Sequence, residues 1–320
     1  MNITLEPGSP PAFSVVVCAY SLDRWPDLRA AIASLQNQTV TPHEIIVVVD
    51  HNNDLLKLVR ETFPQILAIP NQGTRGLSGA RNTGVSAASG DIVAFLDDDA
   101  RADTTWLAHF REHYVQEDVL GVGGTVLPDW AGGRKPAWFP VEFLWVVGCS
   151  YRGQPTSLQP VRNLIGANMS YRLDALRAAG PFREGIGRVG LLPMGCEETE
   201  LGIRVLNAFP GDQVLYDPEA VVWHRVPRNR MGPTYFVKRC YAEGLSKALV
   251  VQLVGQQSGL SSERSYTFRV LPRGVIRGLL AGISGHIGGF GRAAAIVTGL
   301  AATTVGYVLG RIRPQSLPDT

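Results

Sequence analysis

The stretch GLSGARNTGVSAASGDIVAFLDDDA (76–100) decides the prediction of the fold. Its first half reads as a helix of small residues, and its second half is the apolar run DIVAFL (91–96), which we predict to be a buried strand. The run ends in three consecutive carboxylates, Asp97, Asp98 and Asp99. Aspartate is uncommon in strands, and like charges repel one another. The cluster therefore needs a reason beyond local structure.

Around this stretch, short β-branched runs alternate with helical segments. We predict strands at FSVVVCA (13–19), EIIVVVD (44–50) and QILAIP (65–70), and helices at 25–38 and 53–62. Strands separated by helices indicate βαβ units, a mainly parallel sheet and an α/β fold. Ligands bind such sheets at the carboxyl ends of the strands, where Asp50 and the aspartate cluster are expected.

The chain from residue 121 to 224 is less regular. We predict strands at 121–127 and 220–224, a strand or turn entering a helix at 166–180, and a helix with an acidic first turn at 196–208. The aromatic residues Trp138, Phe139 and Trp145 could stack on a sugar or a lipid. Aromatic residues at such spacing are more often core, so we expect them to be buried.

Composition limits the class of protein. The 320 residues carry a formal net charge of +2, which is too small by itself to indicate a nucleic-acid partner. The four cysteines lie far apart without a CxxC pair, so neither a zinc site nor a disulfide framework is indicated. The start, MNITLEPGSPP, lacks the basic and apolar regions of a secretory signal. We therefore expect a cytoplasmic protein with reduced thiols and no nucleic-acid partner.

Closely spaced carboxylates at a strand end are tolerable where a hard divalent cation binds. Mg²⁺ and Mn²⁺ prefer oxygen ligands and commonly combine one or two carboxylates with substrate phosphates. The alternative is a solvated acidic turn that caps the next helix, since Asp is a good N-cap. One aspartate would be enough for that role. The cluster therefore favours a metal site.

The ordered set FSVVVCAY, EIIVVVD, 76–100, GANMSYRLDAL and CEETELGIRV resembles family 2 glycosyltransferases of the GT-A fold. The resemblance covers residues 13–225, and its most specific part is ARN-G followed by SGDIVAFLDDD. It implies a Rossmann-like α/β domain with a mainly parallel sheet flanked by helices, a nucleotide-sugar donor and a divalent metal, Mn or Mg. The layout is also similar to lipid-linked and cell-envelope sugar transferases, including glucosyl-dolichyl-phosphate glucuronosyltransferases.

The resemblance also implies roles for individual residues. Asp99 and His224 match positions at the metal, although a strand-end histidine bonded to backbone is an equal alternative for His224. Asn168 matches a position near the donor sugar, with an asparagine that satisfies backbone groups in a turn as its alternative. The residues implied to bind the donor are Ala19, Tyr20, Asp50, Arg81, Asp97, Asp98 and Asn168.

The acidic start of the helix at 196–208 is a candidate for the catalytic base. Attack by an acceptor hydroxyl needs a base within hydrogen-bond reach of its proton. In many relatives this motif reads Glu-Asp and the second residue is the base; here Glu197 and Glu198 stand in that place. Glu198 therefore takes the base position with a side chain one methylene longer, and the choice between the two stays open. The alternative is that these acids complement the helix dipole.

The chain beyond residue 230 has a different composition. We divide the sequence into an N-terminal extension (1–12), a catalytic domain (13–230) and a C-terminal helical region (231–320). A helix from Pro233 is predicted to place Val237 on an apolar face and Arg239 and Glu243 on the polar face.

A Gly- and Ala-rich hairpin, residues 274–310, is predicted after that helix. Gly278/Gly282, Gly285/Gly289 and Gly306/Gly310 each form G-x-x-x-G, a spacing that lets helices approach closely. We expect the hairpin to contact the inner face of the cytoplasmic membrane, because 293–310 has no charge but is short for a span. The alternative is a soluble helical pair packed on the domain or on a second subunit, which makes a homo-oligomer.

The sequence thus predicts an inverting, metal-dependent transfer of a sugar from a nucleotide-diphosphate donor to a saccharide or polyprenyl-linked acceptor. UDP is the expected nucleotide, with GDP and dTDP open. The alternatives are a non-catalytic protein that binds a nucleotide sugar or assembles with membrane partners, and a sugar nucleotidyltransferase.

Overall fold

A computed structural model describes residues 10–185, 195–255 and 265–312. Most of the predicted N-terminal extension (1–12) lies outside these ranges. The chain forms two compact units. The first contains Met1–Val126, Thr156–Phe182 and Arg204–Trp223, and the second contains Leu127–Pro155, Arg183–Ile203 and His224–Thr320. Both units are thus built from separate stretches of sequence, and the boundary predicted at residue 230 stays a prediction.

The strands and helices begin and end as follows. The strands are β1 (Phe13–Ala19), β2 (Glu44–Val49), β3 (Leu67–Pro70), β4 (Ile92–Asp97), β5 (Ala100–Ala102), β6 (Val119–Trp130), β7 (Gln159–Pro160), β8 (Asn168–Arg172) and β9 (Gln213–Val226). The helices are α1 (Trp25–Gln36), α2 (Asn53–Thr62), α3 (Leu77–Ala87), α4 (Trp106–His113), α5 (Leu173–Ala179), α6 (Glu197–Ala208), α7 (Pro233–Val254), α8 (Leu271–Ile283) and α9 (Gly288–Ile312). Shorter helical turns cover Leu22–Arg24, Val141–Val147, Arg228–Arg230 and Tyr266–Val270.

The described strands form one mixed sheet in the order β3-β2-β1-β4-β8-β6-β9-β5, with β7 paired to β9. Strands β3, β2, β1 and β4 are parallel, and β8 runs antiparallel to both β4 and β6. Parallel neighbours need crossover connections, which α1, α2 and α3 supply between the first four strands. The predicted parallel sheet is therefore confirmed for these four strands, whereas β8 is antiparallel to both its neighbours and β7 is antiparallel to β9.

Strands β1, β2 and β4 are buried on both faces, as their continuous apolar sequences predict. Helix α3 packs closely on β1 because residue 84 is glycine: a Cβ there would lie 2.4 Å from Cγ1 of Val16. Cys18 pairs with Asp97, and Ala19 pairs with Val49. This register brings Asp50 and the aspartate cluster to the same edge of the sheet.

The second unit contains the C-terminal helices. Helices α8 and α9 form the predicted hairpin, in which a Cβ on Gly278 would lie 2.9 Å from the carbonyl oxygen of Gly289. Helix α9 also packs on α7, where a Cβ on Gly306 would lie 2.1 Å from the backbone carbonyl oxygen of Tyr241. Small residues therefore permit both close contacts. Gly285 lies in the turn of the hairpin, so the pairing with Gly289 on one helix is wrong.

Two predictions about side chains in this unit have different outcomes. Phe139 is buried and packs edge-on against Phe236, which confirms the core interpretation for this residue. Trp138 and Trp145 are partly exposed, so their expected burial is wrong. The predicted polar face of α7 is wrong for Arg239 and Glu243, because they form an ion pair at 2.8 Å with little exposure. Val237, predicted on the apolar face, is 38% exposed.

Candidate functional site

Asp97 is the last residue of β4, Asp98 and Asp99 follow it, and an arginine lies beside the cluster as a counterion. Arg24, in the turn after β1, donates from Nη1 to Asp98 and from Nη2 to Oδ2 of Asp99, the latter at 2.7 Å. Its guanidinium also lies over the ring of Tyr20, 5.2 Å from the ring centroid. Asp98 and Asp99 are buried, whereas the side chain of Asp97 is 31% exposed. One arginine thus partly neutralises two buried carboxylates.

The electrostatics of this cluster favour additional positive charge. Burial raises the pKa of the Asp98 carboxyl to about 7; Arg24 opposes this, while the charges of Asp99 and Asp97 add to it. Oδ2 of Asp98 is buried and has no hydrogen-bond partner among the described residues. A bound cation would lower the cost of keeping these carboxylates ionised.

His224 adds a nitrogen ligand to the cluster. Strand β9 continues from the first unit into the second, and His224 follows Trp223 on it. One ligand atom from each of Asp97, Asp99 and His224 lies within 4.8 Å of the others. Two carboxylates and an imidazole suit a divalent ion such as Mn²⁺ or Mg²⁺. The donor set therefore fits the predicted metal.

The position of the His224 ring depends on a glycine. Gly148 has φ +78°, and a Cβ there would lie 3.3 Å from Cε1 of the imidazole. Cys149 places its sulfur 3.9 Å from Nδ1 of the same ring. The left-handed backbone at Gly148 therefore leaves room for a buried histidine that a larger residue would displace.

Asp50, at the end of β2, holds the loop that follows β3. Its Oδ1 accepts from Nδ2 of Asn71 at 2.7 Å, and its Oδ2 accepts from the backbone N–H of Gly76 at 3.0 Å. Nδ1 of His51 also lies 2.7 Å from Oδ1. Asp50 thus stands where the sequence predicts, with a clear role in ordering residues 71–76.

Arg81 is a buried cation on α3. Its guanidinium donates to the carbonyl oxygen of Gly166 at 3.2 Å and lies 3.7 Å from Oδ1 of Asp97. The rings of Phe95 and Phe182 lie 5.9 and 5.3 Å from its guanidinium carbon. The structure thus brings together Arg81 and Asp97, two of the residues that the sequence resemblance implies at the donor site, at the carboxyl edge of the sheet.

Three other predicted donor residues present different groups. The Ala19 side chain lies in the core, whereas the Tyr20 ring is half exposed beside Arg24. Asn168 is fully buried: its Oδ1 accepts from Trp106, and its Nδ2 donates to the carbonyl oxygens of Thr125 and Ala220. These bonds fit the alternative of an asparagine that satisfies backbone groups, and its role near the donor stays a prediction.

Helix α6 begins with the two candidate bases. Glu197 is buried and Glu198 is partly exposed. The residue before them, Cys196, has φ +75°, which is uncommon for a residue with a side chain. The backbone N–H of Gly195 donates to Ser246 on α7, so the strained entry to α6 is tied to a neighbouring helix.

Arg24 is the charged residue that the sequence interpretation missed. A signal for it was available, because the turn after the first predicted strand opens at the same carboxyl edge of the sheet where Asp97–Asp99 are expected. Three carboxylates need a countercharge, and Arg24 is the first cation in that turn.

Comparison with known proteins gives the family. The family model described as "Glycosyl transferase family 2" matches residues 14–180. A glucosyl-dolichyl phosphate glucuronosyltransferase from Haloferax volcanii is 35% identical over 249 residues, which cover 77% of this chain and 79% of that protein. A succinoglycan biosynthesis protein, ExoM, from Rhizobium meliloti is 27% identical, covering 82% of this chain and 91% of that protein.

Solved structures give the fold. The mannosyltransferase PcManGT from Pyrobaculum calidifontis, in complex with GDP-Man and Mn²⁺, superposes with a TM-score of 0.57 at 15% identity. The match covers 93% of this chain and 88% of that one. The arrangement of sheet and helices is therefore the GT-A fold, as the sequence resemblance implied.

Proposed function

Given that this chain belongs to glycosyl transferase family 2, we propose that it transfers a sugar from a UDP-linked donor to a hydroxyl of a saccharide or polyprenyl-linked saccharide, with inversion at the anomeric carbon. The observation that carries this proposal is the group formed by Asp97, Asp99 and His224 at the edge of the sheet where ligands bind. The structural relative PcManGT was solved with a nucleotide sugar and Mn²⁺, which supports a donor and a metal of the same classes here.

Asp99 and His224 would hold the divalent ion, with Asp97 beside them. A metal bound there supplies a Lewis acid that stabilises negative charge on the departing diphosphate. The Tyr20 ring and the Asp50 carboxylate would contact the nucleoside, Ala19 would contribute backbone groups, and Asp97 and Asp98 would border the ribose side. Arg81 would face the nucleotide as a fixed positive charge.

Glu198 would act as the general base. It is the more exposed of the two glutamates at the start of α6, so an acceptor hydroxyl can reach it more easily than Glu197. The acceptor oxygen then forms a bond to the anomeric carbon, its proton passes to Glu198, and the bond to the diphosphate oxygen breaks. Attack opposite the leaving group inverts the anomeric carbon.

The relatives and the C-terminal helices support our proposal for the acceptor and the location. The Haloferax relative is named for transfer to a dolichyl-phosphate-linked glucose, which supports a lipid-linked acceptor. Helix α9 is long and apolar enough to cross a membrane by length and composition alone. We place the protein in the cytoplasm, at the inner face of the membrane.

The experiment is a product assay with UDP-, GDP- and dTDP-sugars, with and without Mn²⁺. We expect release of a nucleoside diphosphate from the UDP-sugar only with metal, and loss of about 10²-fold or more in turnover for Glu198→Gln. Glu61→Gln, at an exposed position on α2, is the control. Release of pyrophosphate would identify a nucleotidyltransferase instead. Donor binding without any turnover would favour a non-catalytic binding protein.

A further inference from the structure

A cavity lined by several charged side chains lies within the C-terminal unit, between the Val141–Val147 segment and helices α8 and α9. Its volume is about 290 Å³. Four basic side chains and one acidic side chain line it: Lys135, Arg152, Arg277, Arg292 and Glu142. The cavity therefore carries a formal excess of three positive charges.

Glu142 offsets only part of this charge. It is buried, and its Oε1 accepts from Nη2 of Arg277 at 2.6 Å and lies 3.6 Å from Nη1 of Arg152. Lys135 and Arg292 donate instead to the backbone carbonyl oxygens of Phe139 and Ala137, at 2.5 and 3.1 Å. Neither of these donations supplies a negative charge, so the cavity favours an anion.

The charges on Lys135 and Arg292 also act on each other. Burial lowers the pKa of Lys135, and the positive charge of Arg292 lowers it further, against the opposing effect of Glu142. An anion between the two cations would remove this repulsion.

Glycine shapes the floor of the cavity. A Cβ on Gly274 would lie 3.0 Å from Oε1 of Glu142 and 2.8 Å from Cδ1 of Ile296. Gly278, one turn further along α8, faces Gly289 and Ala293 of α9 at similarly short distances. Side chains at 274 and 278 would fill the space between the helices, and their absence keeps a basic cavity open beside the hairpin.

The same two helices expose an apolar surface. Ile283 and Ile287, at the turn of the hairpin, are 76% and 81% exposed. Ile276, Leu280 and Phe290 are also exposed. Large apolar side chains concentrated at one tip, next to a basic cavity, match the interface of a bilayer that contains anionic lipid.

We propose that the cavity binds the phosphate group of a membrane lipid, a phosphomonoester headgroup, while the exposed tip of the α8–α9 hairpin enters the bilayer interface. A phosphomonoester carries a charge near −1.5 to −2 and three acceptor oxygens, roughly matching the excess of cations in the cavity. This inference does not rest on sugar transfer, because it concerns binding to lipid in the absence of any donor.

The experiment is flotation of the full chain with phosphatidylcholine vesicles that contain either phosphatidic acid or phosphatidylglycerol at matched surface potential. We expect a preference for phosphatidic acid of roughly tenfold, because only its headgroup is a phosphomonoester. The double variant Lys135→Gln/Arg292→Gln should lose this preference. The matched double variant Arg269→Gln/Arg273→Gln, whose side chains are exposed and do not line the cavity, should keep it. Circular dichroism verifies that each variant is folded.

Three outcomes would overturn the proposal. Equal binding of the wild type to both lipids, or equal loss of the preference in both double variants, would indicate general attraction to negative surfaces. If inorganic phosphate binds the protein but does not release it from the vesicles, the cavity is a site for free phosphate and does not contact the membrane lipid. The variant Ile283→Ser/Ile287→Ser adds a further check, since unchanged flotation would exclude the hairpin tip from the contact.

Discussion

At the scale of single residues, Arg24 has the most direct influence on the acidic cluster. Its guanidinium bonds both Asp98 and Asp99, so a divalent ion at Asp99 must share or replace that contact. The metal and the arginine therefore compete for one carboxylate. Without a metal ion, the Arg24 guanidinium is the cation that lies beside the two buried aspartates.

We expect Arg24→Gln to bind Mn²⁺ roughly tenfold more tightly, because a competing unit charge has been removed. The metal-free variant should lose about 2 kcal/mol of stability through the lost charged hydrogen bonds. Calorimetric titration with Mn²⁺ and urea unfolding measure the two effects. Arg29→Gln, exposed on α1, is the control; weaker Mn²⁺ binding in Arg24→Gln would instead show that the arginine assists the ion.

Gly148→Ala tests the support of the His224 ring. The left-handed backbone should cost about 1–2 kcal/mol, and the crowded imidazole should add to this. Gly132→Ala is a matched control, since its φ of +85° carries the same backbone cost with nothing within 4 Å of the new Cβ. Urea unfolding gives both values. An equal loss in the two variants would mean that the ring accommodates the methyl group.

At the scale of elements, the sequence predicts buried strands better than the faces of helices. β1, β2 and β4 stand where their unbroken β-branched runs place them. By contrast, residues 220–224 were predicted as a short strand, and β9 covers Gln213–Val226. Its pairing partners are distant in sequence, so local patterns indicate only its most apolar part.

Helix α7 shows why burial of charged residues was missed. Arg239 and Glu243 stand four residues apart, a spacing typical of an exposed ion pair. In the structure they are covered by other parts of the second unit, and Cys196 before α6 donates to Glu243 at 3.5 Å. Tertiary contacts of this kind leave no periodic signal in the sequence.

The pair gives a prediction about acid stability. Burial alone would raise the pKa of Glu243, but the charges of Arg239 and Lys247 outweigh burial and lower it below 4.5. Because the folded pKa is the lower one, its stabilisation is complete above the unfolded value and is lost as pH falls through the folded value. Glu243→Gln should therefore cost about 3 kcal/mol at pH 7 and less below pH 4.5. Unfolding across pH measures this, with Glu61→Gln as control; a loss independent of pH would contradict it.

At the scale of the whole molecule, the sequence resemblance identified the family and the fold correctly. It did so because the aspartates, the acidic helix start and the strands occur in a fixed order along the chain. The ion pairs of Arg24, the bonding of Asn168 and the cavity around Glu142 join residues far apart in sequence. These contacts form only in the assembled fold, so no local sequence pattern predicts them.

Ligand binding gives a test that involves the whole chain. In the presence of Mn²⁺, UDP at 100 times its dissociation constant should raise the apparent stability by about 2.7 kcal/mol relative to the protein with Mn²⁺ alone. Asp99→Asn should lose the part that depends on metal, because one carboxylate ligand has become a neutral amide. Thermal unfolding with UDP, GDP and dTDP provides the comparison. A stabilisation by UDP that is the same with and without metal, and the same in Asp99→Asn, would argue against the metal site.

The bonds of Asp50 have a consequence for how donor binding could be observed. A nucleobase that donates hydrogen bonds to the Asp50 carboxylate competes with Asn71 Nδ2 and the Gly76 N–H, which both donate to it now. Nucleotide binding would then reduce the order of the loop at residues 71–76, which begins more than twenty residues after Asp50. Hydrogen exchange of the Gly76 amide would report this change, because its rate should increase when nucleotide binds. The Asp50 amide, which donates to the carbonyl oxygen of Ala19, should stay protected and serves as the internal reference.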